Sequence, residues 1–146
     1  KVAFATLLLL IYTLSLSIAS SVVKTAPNKS PISNTVSVVT IGVGIYWDAD
    51  CKNGVSGVDW GTLEPGTNQS VVVYIRNEGS SSANLTMYTS NWSPSDTLGY
   101  VVLSWDREGY PIQVREVVEA TFILSVSADA AGMTTFSFDI TVAANT

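Results

Sequence analysis

The stretch TVSVVTIGVGIYW, residues 35–47, decides the predicted fold, because the pattern of apolar residues changes there from a helical to an alternating period. β-branched residues dominate this stretch. Its apolar side chains alternate, with some slippage, at Val36, Val38, Ile41, Val43 and Ile45. Alternation with a period of two is typical of a strand that buries one of its faces. We therefore expect β-structure to begin here.

The chain downstream repeats this pattern in short segments that are bounded by turn residues. These segments are residues 70–76, 84–89, 100–105, 116–127 and 134–142. Turn signals recur roughly every ten residues, which is the spacing of a β-sandwich or a barrel. We predict a β-sandwich of about seven strands in two packed antiparallel sheets over residues 35–146, without an amphipathic helix in that range.

Two other segments precede the predicted sandwich. Residues 25–34 form a polar linker, in which Pro27 and Pro31 disfavour helix. Before the linker lies the uncharged run VAFATLLLLIYTLSLSIASSVV, residues 2–23. As an α-helix this run would reach about 33 Å, enough to cross the hydrocarbon core of a bilayer. We predict a long hydrophobic α-helix over residues 1–24, and hence an α+β chain.

We expect the predicted helix to associate with copies of itself through its large apolar side chains. These are Leu7, Leu8, Leu9, Leu10, Ile11, Leu14, Leu16 and Ile18. Small hydroxyl residues such as Thr13, Ser15 and Ser17 lie between them. Their hydroxyls can bond back to the helix backbone, and their size lets helices approach closely. A single lipid anchor has no need of such residues, so they favour self-assembly.

A secretory signal peptide is the competing interpretation of the same run. Lys1 would end a positive region, residues 2–18 would be its apolar region, and cleavage would follow Ala19. The free segment 20–39 would then insert as a donor strand into the open sheet of the next subunit. A third hypothesis is a membrane-tethered domain that binds carbohydrate or a partner protein.

Composition narrows the classes of function. Of the 146 residues 47% are hydrophobic and only 13% are charged, which is too apolar for a disordered chain. The formal net charge of −5 argues against nucleic acid, whose phosphates need a basic surface. The chain lacks histidine, the commonest general base, and its single cysteine, Cys51, cannot form an internal disulfide. We expect no enzyme activity, catalytic residue, cofactor or metal.

The remaining candidates for chemistry have simpler interpretations. The acidic residues that follow the first predicted strand are Asp48, Asp50 and Asp59. They offer oxygens to a hard cation, but their spacing matches no calcium loop. Cys51 has no histidine to activate it as a nucleophile. The tryptophans, which we expect to fill the core and the strand edges rather than to stack on sugars, are Trp47, Trp60, Trp92 and Trp105.

Four Asn-x-Ser/Thr triplets are candidate N-glycan acceptors in an exported protein. Their asparagines are Asn28, Asn68, Asn84 and Asn91. Pro94, directly after the last triplet, makes Asn91 the poorest acceptor. Asn28 in the linker and Asn68 before a strand are expected to be the most exposed.

The order of parts resembles an archaeal type IV pilin of the thermophilic crenarchaeal kind. Such a pilin has an apolar N-terminal helix, a linker and then a β-sandwich. The globular part is similar to the immunoglobulin-like domains of exported archaeal surface proteins. The segments that carry this similarity are VDWG (residues 58–61), EPG (64–66), VYIRNEG (73–79) and SNWSP (90–94).

The resemblance implies a structural role and an immunoglobulin-like sandwich. A prepilin peptidase would cleave a precursor just before the apolar helix, which would lie in the membrane before assembly. Helices of identical subunits would then pack into a filament core, and the sandwiches would form a glycosylated coat. The chain is thus expected to be the major subunit of an extracellular, homopolymeric pilus for adhesion at the cell surface.

Overall fold

The structure, a computed structural model, describes residues 29–146. This part of the chain is all-β, and its only helical element is the short 3₁₀ helix Ser95–Gly99. The α+β prediction is therefore wrong: the alternating pattern governs the described range, and no α-helix accompanies the strands there. No helix in this range is long and apolar enough to cross a membrane. Outside the described residues lie the predicted helix 1–24, the sequon at Asn28 and the predicted assembly residues Leu7, Leu8, Leu9, Leu10, Ile11, Leu14, Leu16 and Ile18.

Nine strands, rather than about seven, make up the described part. They are β1 (Ser33–Ile41), β2 (Val43–Tyr46), β3 (Gly57–Val58), β4 (Asn68–Asn77), β5 (Ala83–Ser93), β6 (Val101–Trp105), β7 (Pro111–Ile112), β8 (Val117–Val126) and β9 (Thr135–Asn145). The longer strands correspond to the segments that the alternating pattern indicates. β3 and β7 have only two residues each, which is too short to show a period.

The strands form two sheets, one of five strands in the order β3-β1-β9-β5-β7 and one of four in the order β2-β4-β8-β6. β1 and β9 are parallel, from Ser33 beside Thr135 to Ile41 beside Ala143. The prediction of purely antiparallel sheets is wrong at this pair. The two strands come from distant parts of the described chain, so no hairpin turn imposes an antiparallel arrangement on them.

Gly42 divides the stretch 35–47 between the two sheets. It has a φ of +73°, in the left-handed region that glycine adopts at little cost. Its carbonyl oxygen accepts a hydrogen bond from the backbone N–H of Glu78 at 3.1 Å. The chain thereby leaves β1 in the five-stranded sheet and enters β2 in the four-stranded sheet. The stretch that the alternating pattern predicts as one strand therefore forms two strands, β1 and β2.

The inward-facing side chains of both sheets form one hydrophobic core. The largest of them, all almost fully buried, include Phe122, Phe136, Phe138, Leu85 and Ile75. Trp92 stacks on Phe138, with ring centroids 4.1 Å apart and planes inclined by 11°. This packing makes the fold a β-sandwich whose stability comes from apolar burial, since its only cysteine is free.

Asn77 closes one end of the sandwich. This buried side chain lies at the end of β4, and its Nδ2 donates hydrogen bonds to the carbonyl oxygens of Ser81 at 2.9 Å and Ile112 at 3.3 Å. Its Oδ1 accepts one from the N–H of Gly79 at 2.8 Å. Because Ile112 belongs to β7, the amide links the two sheets at this end of the sandwich.

Candidate functional site

A groove of about 740 Å³ lies at this end of the sandwich. The loop after β2, the end of β4 and the turn between β7 and β8 form its walls. Its lining combines charged and apolar side chains, among them Cys51, Arg76, Glu78, Val114 and Arg115. Such a mixture in a concave surface is the first place to look for ligand chemistry.

The charged groups at the centre of the groove bond to one another. Glu78 Oε1 accepts hydrogen bonds from Arg76 Nε and from the hydroxyl of Tyr46, each at 2.7 Å. The guanidinium of Arg76 also lies 5.2 Å from the centroid of the Tyr46 ring. The hydrogen bond from Arg76, followed by that from Tyr46, lowers the pKa of Glu78. The carboxylate thus stays ionised, and its two partners already use it as an acceptor.

Cys51 in the wall of the groove is a protonated thiol at neutral pH. Burial, the largest effect, raises the pKa of Cys51, and the nearby carboxylates of Asp48 and Glu78 raise it further against the opposing charge of Arg76. Its Sγ lies 3.7 Å from the carbonyl oxygen of Ala49, which accepts a weak hydrogen bond. A thiol in this environment is a poor nucleophile.

The acidic residues considered as cation ligands hold turns instead. The Asp48 carboxylate accepts hydrogen bonds from the backbone N–H groups of Lys52 and Asn53 at 3.1 and 2.8 Å. Desolvation raises the pKa of Asp48, but these hydrogen bonds outweigh it and the net shift is downward. Asp50 pairs with Lys52, and Asp59 accepts from the N–H of Gly61. Residues 29–146 contain no acidic or cysteine cluster that could hold a metal ion.

The four tryptophans occupy different environments. Trp60 is buried, and Trp92 stacks on Phe138 in the core. The ring nitrogen of Trp105 donates to the carboxylate of Glu108 at 2.7 Å. Only Trp47 among the four is exposed, at 44%. They do not line a common surface on which a sugar could stack.

The sequons within the described range differ in accessibility. Asn68 is exposed at the start of β4, and Asn84 is exposed on β5 beside Pro111 of β7. Asn91 is exposed as well, but its Nδ2 donates a hydrogen bond to the carboxylate of Asp139 at 2.7 Å. Because a glycan would attach to that same nitrogen, Asn91 is the least suitable acceptor of the three.

No family model and no curated protein matches this chain. Its function must therefore be inferred from its own surface.

The outer face of the five-stranded sheet has an apolar row. Val39 on β1 lies beside Thr141 on β9, which in turn lies beside Tyr88 on β5. Ile41 is two positions further along β1. The side chains of Val39, Ile41 and Tyr88 are each about half exposed. We call these three residues the first apolar face.

The outer face of the four-stranded sheet has a similar set, which we call the second apolar face. It consists of Val72 on β4, Val102 on β6 and Ile123 on β8, all exposed. Their neighbours across the strands, Ser104 beside Ile123 and Thr121 beside Val72, are uncharged. Because the two sheets pack through their inner faces, the two apolar faces lie on opposite sides of the sandwich.

The sequence contains a signal for these faces that the strand predictions do not use. Successive side chains of a strand point to opposite faces of the sheet. Two consecutive apolar residues therefore put one apolar side chain towards the core and the other on the surface. Val38-Val39, the run 71–73 and Val101-Val102 are such pairs or runs. Each puts one valine in or against the core and the next one on the surface.

Proposed function

We propose that this chain is a non-enzymatic structural subunit of an extracellular filament of the archaeal type IV pilin kind. The observation that carries the proposal is the pair of apolar faces on opposite sides of one sandwich. Exposed apolar residues that are grouped on one face are typical of contact surfaces, whereas singly scattered ones are not. With a different contact surface on each side, every copy can touch two neighbours, which is the arrangement of an open-ended homopolymer.

The apolar segment that precedes the sandwich supports the same proposal. Residues 2–23 carry no charge, and the only charged residues before residue 29 are Lys1 and Lys24. If neighbouring copies bury on the order of 1,000 Å² of this segment, the gross gain is roughly 25 kcal/mol before ordering costs. The segment would then provide the main cohesion of the filament, and the sandwiches would form its outer layer with an N-glycan on Asn84.

Donor-strand assembly is the weaker alternative. The proposed donor segment 20–39 overlaps β1, which pairs with the chain's own β9 along its whole length. A strand that completes its own sandwich is not available to a neighbour without opening that sandwich. The pairing of β1 therefore favours assembly through the apolar segment.

The test is a matched pair of variants in the full chain, Leu9→Asp and Ser80→Asp. Leu9→Asp places a charge in the apolar segment, whereas Ser80→Asp places one at an exposed position of the sandwich. Material sheared from expressing cells is pelleted and imaged by electron microscopy. We expect filaments from the unmodified chain and from Ser80→Asp, and none from Leu9→Asp.

Tryptophan fluorescence checks that both variants remain folded, because all four tryptophans lie in the described sandwich. Normal filaments from Leu9→Asp would contradict assembly through the apolar segment. Recovery of the unmodified chain only as a monomer in detergent would instead support a membrane-tethered binding domain.

A further inference from the structure

One edge of β4 has no partner along more than half of the strand. β8 pairs with β4 from Asn68 to Arg76 on one side. On the other side β2 covers only Tyr74 to Asn77. Alternate residues of the segment 68–73 therefore present backbone N–H and C=O groups outward, and nothing in the described part of the chain hydrogen-bonds to them from that side.

This open edge lacks the features by which proteins prevent edge-to-edge association. Natural edges are usually short, carry a charge or a proline, or contain a bulge. Residues 68–73 have the sequence NQSVVV, without charge or proline, and they pair with β8 in an unbroken register. An edge of this kind is a template for another strand.

The other edges of the sandwich are shorter or obstructed. β3 and β7 have two residues each. Along β5, the Glu108 carboxylate accepts a hydrogen bond from the N–H of Met87, and the N–H of Gly109 donates to the carbonyl of Leu85. β6 lies between the 3₁₀ helix, which packs against it, and the salt-bridged pair Asp106 and Arg107. Beyond Tyr88, β5 is irregular, with a register shift between Ser90 and Ser93. The edge of β4 is the longest regular strand edge without a partner in residues 29–146.

Charge indicates what kind of partner this edge fits. The chain has a net charge of −5, so two copies repel each other wherever their acidic residues meet. Around the open edge, the outer face carries Ser70 and Val72 on β4 and Thr121, Ile123 and Ser125 on β8, none of them charged. Two copies can therefore meet here without like-charge repulsion, and the edge offers nothing to attract a charged peptide.

We propose that a second copy of this chain pairs with the open edge of β4, strand β4 against strand β4. A two-fold axis makes this pairing antiparallel, which gives well-aligned hydrogen bonds and a closed contact of identical surfaces. The four-stranded sheets of the two copies then continue into one another, and the Val72 side chains extend a shared outer face. The pairing goes beyond the proposed filament contacts and does not depend on residues 2–23.

Cross-linking of the full chain in mild detergent tests the pairing. Both variants carry Cys51→Ser to remove the native thiol; one adds Ser70→Cys at the open edge, and the control adds Ser80→Cys in the turn after β4, away from both apolar faces. Both serines are exposed. A short thiol-specific cross-linker tolerates small differences in register. We expect several-fold more cross-linked dimer from Ser70→Cys than from Ser80→Cys.

A second substitution shows whether the strand edge itself makes the contact. Val72→Lys adds a charge beside the edge, and Val102→Lys makes the same change on the same outer face but on β6, away from the open edge of β4; the two valines are 46% and 59% exposed. We expect Val72→Lys to reduce the Ser70→Cys dimer several-fold and Val102→Lys to leave it unchanged, whereas a contact through the second apolar face would be weakened by both. If the Ser70→Cys chain stays monomeric, for example because residues 1–28 of the same copy cover the edge, the proposal is overturned. Equal cross-linking at both serines would also overturn it.

The two proposals have separate measurements: electron microscopy detects the filament, and cross-linking detects the β4–β4 dimer. Leu9→Asp can abolish filaments while the Ser70→Cys dimer persists in detergent. Conversely, the dimer can be missing while filaments form. The failure of either proposal is therefore distinguishable from the failure of the other.

Discussion

Replacement of Asn77 by Asp should destabilise the sandwich strongly, although the two side chains have nearly the same shape. Nδ2 of Asn77 donates two hydrogen bonds, to the carbonyl oxygens of Ser81 and Ile112, from a site that is 1% exposed. A carboxylate has no hydrogen to donate, so Asn77→Asp places a negative oxygen against two carbonyl oxygens. The substitution thereby loosens the link between β4 and β7.

The magnitude follows from these two lost bonds. The bond to Ile112 is buried and the bond to Ser81 is partly buried, so their loss costs about 2 kcal/mol and about 1 kcal/mol, which is about 3 kcal/mol in all at pH 7. Burial raises the pKa of the introduced carboxyl group above its ordinary value of about 4. A carboxyl group whose pKa is raised in the folded state destabilises the fold increasingly as pH rises through its unfolded pKa. The loss should therefore be smaller at pH 4 than at pH 7.

Urea unfolding of the full chain in mild detergent, followed by tryptophan fluorescence, measures this loss at both pH values. Asn68→Asp is the matched control, because Asn68 is exposed and donates no hydrogen bond to a buried group. We expect the control to lie within about 0.5 kcal/mol of the unmodified chain. A loss below 1 kcal/mol for Asn77→Asp, or a loss independent of pH, would refute the reasoning.

Three further substitutions test the packing and the charged contacts. Phe138→Ala removes a buried ring that stacks on Trp92, and should cost about 3–5 kcal/mol in thermal or urea unfolding; a loss under 1 kcal/mol would contradict the core assignment. Glu108→Ala removes the acceptor for the Trp105 ring nitrogen, and should cost about 1 kcal/mol and shift the tryptophan emission; unchanged emission would argue against that bond. Because Arg76 lowers the pKa of Glu78, Glu78 stabilises the fold above its unfolded pKa, and this contribution is lost as pH falls through the folded pKa. Glu78→Gln should therefore weaken the loss of stability below about pH 4, as measured by urea unfolding across that range, and an identical pH profile would contradict the contact.

The alternating pattern predicts the long strands because each buries one face and shows the other to solvent. β4, β8 and β9 each contain several consecutive in-and-out positions, which is enough for the period to be read. The same pattern does not predict that the stretch 35–47 is divided into two strands at Gly42, because a glycine within an alternating run leaves the period nearly intact. The parallel pairing of β1 with β9 escapes it too, because pairing between distant segments leaves no local trace.

The candidate surfaces are only partly encoded in local sequence. Consecutive apolar residues such as Val38-Val39 and Val101-Val102 indicate that a valine faces outward on each strand. Whether outward valines of different strands lie together depends on strand order, which places β4, β8 and β6 side by side. The groove is less predictable still, because Cys51, Arg76 and Arg115 come from three separate parts of the chain.

Electron cryomicroscopy of native material sheared from the cell surface tests the central claim most directly. We predict a filament of identical subunits in which residues 2–23 are enclosed by neighbouring copies and the sandwiches lie outside. A chain recovered only as separate molecules, or filaments whose subunits lack residues 2–23, would contradict it.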